Sequence, residues 1–259
     1  MSETVVMPYV DFVDLDDCEP IRISPPGGSQ ATARILNREP VSGAISGVVD
    51  LPASATLPAG YWSADIELLV LGGKLRLGEE VVERYGYLFV PAGVRLPAAT
   101  VGRDGVRILV FTSGAAVHSE SDVDREGAPR HRMVGPIHAA DIPWERPRVE
   151  DFPAGAARKT LRDDPETQQG FWLLGVLPHW DSPCMEWHTF NEENYILEGE
   201  IETAVGLMRP GSYLSHPAGE RYIHGPMRSR RGAFLLTRAN GPLGNTYVPT
   251  DYQLTGEWR

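Results

Sequence analysis

Two glutamates and one histidine in the last third of the chain have the types and the spacing that a metal site needs. Glu186 and His188 are two residues apart. Successive side chains of a β-strand point to opposite faces, so these two share a face, and Glu192 follows beyond a bend at Asn191. Imidazole nitrogen and carboxylate oxygen are ligands that zinc, iron and manganese accept. The stretch therefore predicts side chains that converge on one ion.

A second stretch, residues 211–226, offers further ligands. Glycine and proline mark a turn near its centre, and Tyr222 and His224 are two residues apart on the strand expected to follow. A third or fourth ligand could come from this strand. Tyr222 is the weaker ligand of the two and is expected to line the pocket as an acid, a base or a hydrogen-bond donor.

Short β-type elements must position these residues. Apolar runs occur at 66–71, 87–90 and 106–111, and 27 glycines and 22 prolines are spread between such runs. Frequent turns between short strands are typical of an all-β sandwich or barrel, so few helices are expected. Residues 119–147 are charged and contain prolines, which indicates a connection between domains.

The two stretches resemble the two cupin motifs. The first reads E-x-H-x3-E-x6-G from Glu186 to Gly199, where the first cupin motif usually reads H-x-H-x3-E-x6-G. The second begins G-x5-P-x-G at Gly211, as in the second motif, G-x5-P-x-G-x2-H. Glutamate thus replaces the first motif histidine. Tyr222 stands at the second-motif histidine position, with His224 two residues later.

The amino-terminal half repeats this pattern. When Gly73 is set against Gly199, residues 67–71 align with 193–197, and the sequence Y-L-x-x-P-A-G recurs at the matching distance. The repeat resembles ChrR-like and RmlC-like bicupins whose first barrel is degenerate. It implies an all-β fold of two tandem cupin barrels, which are double-stranded β-helices or jelly rolls. In the first copy, residues that do not coordinate metal occupy the ligand positions: Gly60, Trp62, Ile66, Leu96 and Ala98.

Three segments are expected along the 259 residues. Residues 1–125 form the first barrel, 126–150 a linker, and 151–259 the second barrel with the metal site. Two domains suit this length, because domains commonly have about 100–150 residues. The first barrel is expected to bind no metal and to serve packing or dimerisation.

The resemblance implies one divalent ion, iron, manganese or zinc, in the second barrel. Its ligands would be His188, Glu192 and His224, with Glu186 as a fourth. If Glu186 does not bind the ion, it could act as a general base, with Tyr222 across the cavity as its acid partner. Glu186 and Tyr222 are therefore the predicted catalytic residues.

The motif residues and their neighbours also allow interpretations in which they have only a structural role. His188 itself could be a hydrogen-bonded core histidine, and Glu192 an exposed turn carboxylate. His216 and His179 lie outside the motif spacing, so surface or loop positions are expected for both. Cys184 shares the parity of His188 and is expected to be a buried structural thiol.

Composition excludes several partners. The formal net charge of -11 disfavours a nucleic acid or an anionic membrane, which are bound through clustered lysine and arginine. Cys18 and Cys184 are too few and too far apart for a disulfide framework or a C-x2-C zinc site. The sequence shows neither an export signal pattern nor a long apolar run, so a cytoplasmic protein is expected.

Two classes of function stay open. One is a metal-dependent enzyme that acts on a small organic molecule by dioxygenase, lyase, isomerase or cyclase chemistry. The other is a non-catalytic, metal-dependent binding or sensor protein, similar to the cupin half of ChrR-type anti-sigma factors. The sequence shows no fused helical domain of the sensor type, which favours the enzyme. The expected partners are a small-molecule ligand or substrate and a second copy of the chain in a homodimer.

Overall fold

A computed structural model describes residues 5–249. The chain divides into two compact units, which we call the first barrel (Cys18–Asp141) and the second barrel (Met1–Asp17 with Ile142–Arg259). Within the described residues no helix is long and apolar enough to cross a membrane. The helical segments there are four short 3₁₀ turns: Leu15–Asp17, Arg130–Arg132, Ala139–Asp141 and Glu220–Tyr222.

Eleven strands of the described chain belong to the first barrel, and they follow a strand, β1, that does not. In chain order they are β1 (Val10–Asp14), then β2 (Ile21–Ile23), β3 (Ala31–Arg38), β4 (Ile45–Leu51), β5 (Thr56–Leu57), β6 (Gly60–Trp62), β7 (Ile66–Leu77), β8 (Glu80–Glu83), β9 (Gly86–Val90), β10 (Ala99–Thr112), β11 (His118–Glu120) and β12 (Val134–His138). The main sheet has the order β12-β9-β7-β10-β4-β3-β2, and β6 pairs with β11. Every residue of β9 is buried, which explains why its sequence is a continuous rather than an alternating apolar run.

The second barrel repeats this arrangement with later strands. They are β13 (Ala156–Asp163), β14 (Gly170–Val176), β15 (Trp180–Ser182), β16 (Met185–His188), β17 (Glu192–Gly199), β18 (Ile201–Thr203), β19 (Gly206–Met208), β20 (Ser212–His216), β21 (Met227–Ser229), β22 (Ala233–Ala239) and β23 (Asn245–Val248). The main sheet has the order β1-β20-β17-β22-β14-β13. Smaller sheets join β15-β21-β18-β19 and β16-β23.

The central strands of the two barrels pair in the same register. In the first barrel β7 lies between β9 and β10, and Ile66 pairs with Val90. In the second barrel β17 lies between β20 and β22, and Glu192 pairs with His216. The alignment of Gly73 with Gly199 places these two pairs at equivalent positions. The repeat in the sequence is therefore a repeat in strand pairing.

The amino-terminal strand changes the expected division of the chain. β1 pairs with β20 at the edge of the second barrel's sheet, whereas β12 pairs with β9 at the matching edge of the first. The start of the chain therefore lies in the second barrel, although residues 1–125 were expected to form the first. Part of the expected linker, 126–150, is β12 itself. Pairing between strands so distant in sequence leaves no local signal, which is why the sequence places these boundaries differently.

Candidate metal centre

Two adjacent strands of the second barrel bring three of the expected ligands together. Glu186 and His188 are on β16, and Glu192 begins β17. Glu186 and His188 are 6% and 2% exposed, and all three side chains line one cavity. Because side chains alternate along a strand, the two-residue spacing on β16 gives Glu186 and His188 the same inward face.

His224 completes a cluster whose polar atoms lie close to one another. Nε2 of His188 is 3.3 Å from Oε2 of Glu192 and 3.3 Å from Nε2 of His224. Nε2 of His224 is 3.9 Å from both Oε1 of Glu186 and Oε2 of Glu192. Ligand atoms that bind one ion at about 2.0–2.2 Å are separated by roughly 3–4 Å. The four side chains therefore have the mutual spacing of a coordination shell.

His224 reaches the cluster because the second barrel has two extra residues before it. The backbone N–H groups of Glu186 and His224 each donate to the other's carbonyl, at 2.8 and 2.9 Å. Gly60 and Leu96 make the same reciprocal pair in the first barrel, at 3.1 and 2.8 Å. His224 is thus the structural counterpart of Leu96, and not of Ala98 as the ungapped alignment has it. The 3₁₀ turn Glu220–Tyr222 contains the added length.

Tyr222, the other predicted catalytic residue, is placed differently from the expectation. It ends the 3₁₀ turn instead of sharing a strand face with His224. Its ring stacks on Tyr9, with ring centroids 5.4 Å apart, and the Arg221 guanidinium lies over the Tyr222 ring, 4.5 Å from its centroid. Tyr222 is not among the residues that line the cavity of Glu186. Its carbonyl oxygen, however, accepts a hydrogen bond from Nδ1 of His224 at 3.0 Å.

His216 is a member of the cluster that the sequence analysis assigned to a surface or loop. It is the last residue of β20, it is 4% exposed, and its ring centroid is 4.0 Å from that of His224. Glu192, His216 and His224 form a group whose ligand atoms lie within 4.8 Å of one another. The alignment of the two halves sets Val90 against His216. His216 could therefore have been recognised from the sequence as the residue that pairs with Glu192 across the strands. The other histidine assigned to a surface, His179, is exposed.

Asn245 is a second residue that the sequence analysis missed. It is on β23, directly opposite His188 on β16. Its Nδ2 donates to Oε2 of Glu186 at 3.1 Å. The hydrogen bond fixes one carboxylate oxygen and leaves Oε1 directed toward His224. A lone asparagine after the motif region carries no spacing signal, so only the β16–β23 pairing reveals its role.

Burial and the neighbouring charges shift the pKa values of the side chains in the cluster. Burial raises the pKa of Glu186 to about 7. Burial acts against charge on His188 and Glu192 as well, but their mutual attraction outweighs it: the pKa of His188 is raised to about 9 and that of Glu192 is lowered to about 2. Burial and the neighbouring imidazoles lower the pKa of His216 to about 3. Burial also lowers the pKa of His224, which keeps that ring neutral.

These donors fit a divalent cation. A carbonyl oxygen only accepts, so the proton of neutral His224 is on Nδ1, facing Tyr222, and Nε2 presents a lone pair to the cluster. That lone pair faces His188 and two carboxylates that are costly to bury without a counter-charge. A cation between them would bind the lone pairs and offset both negative charges. The mixed nitrogen and oxygen set suits iron(II), manganese and zinc.

The space around the cluster is small on the inside of the barrel and larger on the other side. The inner cavity, with Glu186, His188 and Glu192 in its wall, has a volume of about 60 Å³. Its other walls are largely apolar and include Leu174 and Ile196. A second pocket of about 260 Å³ is lined by His216 and His224 together with apolar side chains. The cluster therefore lies between a space for a few water-sized molecules and one for a small organic molecule.

The cysteines take no part in the cluster. Neither Cys18 nor Cys184 is in a disulfide, and both are partly buried. Cys184 was expected to be a buried structural thiol, and it is less buried than that expectation. It precedes β16 and is not among the residues that line the inner cavity or the second pocket.

Comparison with known proteins shows the fold and the family. A protein from Nostoc punctiforme described as a candidate dioxygenase has a TM-score of 0.85 at 25% identity, over 94% of this chain and 87% of that one. Oxalate decarboxylase from Bacillus subtilis (TM-score 0.57, 13% identity, 95% and 80% covered) and vicilin from Corylus avellana (0.55, 13%, 92% and 87%) share the fold alone. These neighbours confirm the predicted all-β cupin jelly-roll architecture. No curated protein matches the chain. The family described as Domain of unknown function (DUF4437) matches residues 11–246, and the protein belongs to this family.

Proposed function

We propose that the protein is a metal-dependent enzyme whose second barrel acts on a small organic molecule, with oxygen-dependent chemistry as the leading candidate. One observation carries the proposal: two carboxylates and two imidazoles, from Glu186, His188, Glu192 and His224, converge in one buried cluster. The similarity to a candidate dioxygenase from Nostoc punctiforme supports the choice of chemistry.

His188, Glu192 and His224 would hold the ion, and Glu186 would be either the fourth ligand or, where it does not bind the ion, the general base. When bound, the ion would supply Lewis acidity or, if it is iron or manganese, a redox centre. Iron(II), manganese and zinc all remain in the proposal. His216 would lie beside His224 as a wall of the outer pocket, where its neutral ring can accept or donate one hydrogen bond to a substrate.

Glu186 would be the residue that moves a proton. Asn245 holds its Oε2, so its Oε1 is the atom available to the ion or to a substrate proton. The apolar walls of the inner cavity exclude bulk water from this carboxylate. The organic molecule would enter by the 260 Å³ pocket, since the inner cavity is too small for it.

The first barrel would be the degenerate partner of a bicupin. Its positions equivalent to Glu186, His188, Glu192, His216 and His224 are occupied by Gly60, Trp62, Ile66, Val90 and Leu96. None of these side chains coordinates a metal ion. The homodimer and the cytoplasmic location stay predictions; light scattering of the purified protein tests the first.

Metal analysis tests the site. Protein purified without chelator should contain about one iron, manganese or zinc per chain. His188→Ala, Glu192→Gln and His224→Ala should each lower the metal content at least ~10-fold, since even outer partners of a metal site change affinity by 10–100-fold. His179→Asn is the control, because His179 is exposed and has a φ of 66° that asparagine tolerates. A folded protein without metal, whose melting temperature ignores added iron, manganese and zinc, would refute the proposal.

Turnover tests the enzyme against the sensor alternative. Oxygen uptake and carbon dioxide release would be followed with small carboxylic acids and phenols as substrates. Glu186→Gln should lower turnover by about 10²-fold or more, the usual size of a general-base contribution. Tyr222→Phe should retain most activity, because the ring stacks on Tyr9 away from the inner cavity. An equal loss in Tyr222→Phe would restore the acid role that the motif suggested.

A non-catalytic, metal-dependent binding protein is the second candidate. The observation that favours it is the position of Tyr222, which removes the expected acid partner from the cavity of Glu186. This alternative predicts metal binding with ligand affinity but no consumption of oxygen or of any substrate. Full metal occupancy without turnover under all conditions tested would select it.

A further inference from the structure

The first barrel, which the sequence assigns to packing, contains the larger cavity of the two barrels. Its volume is about 740 Å³, against about 60 Å³ inside the second. Sites for small organic ligands commonly have about 300–1,000 Å³. Protein interiors are otherwise close-packed, with few voids larger than a water molecule. The interior of the first barrel, which lacks metal ligands, is therefore large enough for a small organic ligand.

The wall of this cavity is apolar over most of its area. Strands from all around the barrel contribute aliphatic side chains that belong to the hydrophobic core or pack against it and also face the cavity. Among them are Val49, Leu57, Leu68, Leu75, Ile108 and Val110. An apolar body of matching size would contact these side chains, so the greater part of the occupant is hydrocarbon or aromatic.

A polar rim lies where β11 pairs with β6. His118 and Glu120 on β11 are both in the wall, and Glu120 is exposed, so the cavity meets solvent here. The His118 ring lies edge-on to Trp62, with centroids 5.0 Å apart. Within the described part of the chain, the His118 ring nitrogens make no hydrogen bond, so they are available to a ligand.

Gly60 makes room for this imidazole. A Cβ atom at Gly60 would lie 2.8 Å from the His118 ring and 2.2 Å from the carbonyl oxygen of Ser119. The counterpart of Gly60 in the second barrel is Glu186. Loss of the carboxylate side chain at this position thus coincides with an imidazole that reaches the same region from another strand. The rim of the first barrel therefore has a polar side chain, although it lacks the carboxylate of the second barrel.

The charges at the rim select the polar group of the ligand. Burial lowers the pKa of His118, so its ring is neutral at pH 7 and can both donate and accept a hydrogen bond. The carboxylate of Glu120 beside it repels an anionic head group. A hydroxyl group, which also donates and accepts, complements both residues.

We propose that the first barrel binds a small, mainly apolar alcohol or phenol, with its body in the cavity and its hydroxyl group against His118. The proposal does not depend on the metal site of the second barrel. It assigns the two barrels separate ligands: an ion and a small substrate in one, and a lipophilic hydroxyl compound in the other.

Displacement of a fluorescent probe tests this on the full chain. The neutral dye N-phenyl-1-naphthylamine should bind saturably, at one site per chain, with no change on addition of EDTA. 1-Decanol should displace it at least ~10-fold more effectively than decanoate, which corresponds to about one hydrogen bond plus the repulsion by Glu120. Absence of saturable binding in the folded protein, equal displacement by the two competitors, or loss of binding in EDTA would each overturn the proposal.

Two variants locate the site. Val49→Trp fills the cavity from a half-buried wall position and should weaken dye binding at least ~10-fold. His118→Phe keeps the ring and removes its nitrogens, so it should leave dye binding intact and cut the preference for decanol over decanoate about 10-fold. If Val49→Trp does not fold, His118→Phe still decides the matter. His179→Asn, in the second barrel, should change neither quantity, and dye binding that follows His179 instead of Val49 would refute the site.

Discussion

The two barrels have the same pairing of their central strands, but their interiors differ in polarity and in volume. In the first, Ile66 faces Val90 across β7 and β9, and in the second, Glu192 faces His216 across β17 and β20. The first encloses about 740 Å³ of largely apolar space, and the second about 60 Å³ beside a polar cluster. The difference teaches that this scaffold tolerates exchange of the inward side chains at the ligand positions, while equivalent core positions such as Leu88 and Leu214 stay aliphatic. Strand pairing is held by backbone hydrogen bonds, and it does not depend on which side chains point inward.

The outward face of the same strands has been kept. In the first barrel, the Tyr87 hydroxyl donates to Oε1 of Glu67 at 2.6 Å, and in the second, Tyr213 donates to Oε1 of Glu193 at 2.6 Å. All four side chains are buried. Because side chains alternate, Glu67 and Glu193 point away from the interiors that differ. One face of each central strand therefore makes the same stabilising contact in both barrels. The other face carries the side chains that differ between the barrels and line the ligand cavities.

The largest effect is expected from placing a second-barrel residue in the first barrel. Ile66→Glu buries a carboxylate opposite Val90, where the second barrel has His216 opposite Glu192, and it should lower the free energy of unfolding by about 3–5 kcal/mol at pH 7. Urea denaturation measures the loss. Ile66→Gln is the control for shape, and it should cost less because the amide carries no charge. A loss below about 1 kcal/mol in Ile66→Glu would mean that the interior of the first barrel is already polar or hydrated.

Adding imidazoles should rescue this variant. Trp62→His and Leu96→His combined with Ile66→Glu place three ligands at positions equivalent to His188, His224 and Glu192. Zinc should then raise the melting temperature of the triple variant more than that of Ile66→Glu alone, because only the former can bind the ion in the first barrel. A triple variant that folds but takes up no additional zinc would show that register alone does not define the site.

A smaller effect is expected at the tyrosine–glutamate hydrogen bond that both barrels share. Tyr87→Phe and Tyr213→Phe each remove a buried hydrogen bond to a carboxylate, so each should lower the free energy of unfolding by about 1–3 kcal/mol. The losses should be similar, because the geometry is the same in both barrels. Tyr61→Phe, at a half-buried position, is the control. A loss confined to one barrel would contradict their equivalence.

The smallest effect is expected at an ion pair of the first barrel. Asp124 accepts from Arg130 and from the backbone N–H of Arg95, and these contacts lower its pKa from 3.8 to about 2. A lowered folded-state pKa gives stability that is present above pH 4 and is lost as the pH falls toward 2. Asp124→Asn should therefore cost less than about 1 kcal/mol at pH 7, because the pair is partly exposed, and only a small part of that at pH 2.

Thermal unfolding at several pH values measures that difference. Asp122→Asn is the matched control, because Asp122 is an exposed neighbour in the same loop. Its stability should equal that of the unchanged protein throughout the range. A cost of Asp124→Asn that persists in full at pH 2 would show that the aspartate acts through its shape and not through its charge.

Much of the fold could be predicted from the sequence, for identifiable reasons. Apolar runs between glycines and prolines predict short strands, and the strands are found there. Gly73 and Gly199, on which the repeat was aligned, have φ values of 78° and 76°. A Cβ atom at either would lie 2.1 Å from a backbone oxygen of the neighbouring strand, so no other residue fits. Constraints of this kind act on single residues, and the sequence shows them directly.

The candidate site could be predicted only in part. The spacing of Glu186, His188 and Glu192 depends on the alternation of side chains along strands, which is local. His216 and Asn245 could not be found in this way, because each joins the cluster by pairing with a strand far away in the chain. The position of Tyr222 outside the inner cavity could not be predicted either, because the motif does not show that two added residues form a 3₁₀ turn.

The sequence by itself determined the spacing of the strands, the repeat, and the three candidate ligands on β16 and β17. Only the tertiary structure decided that His216 replaces Tyr222 beside His224, that β1 completes the second barrel, and that the first barrel is hollow. The physical reason is the range of the interactions. Alternation and glycine conformation act over a few residues, whereas register between distant strands and the volume they enclose depend on all the strands at once.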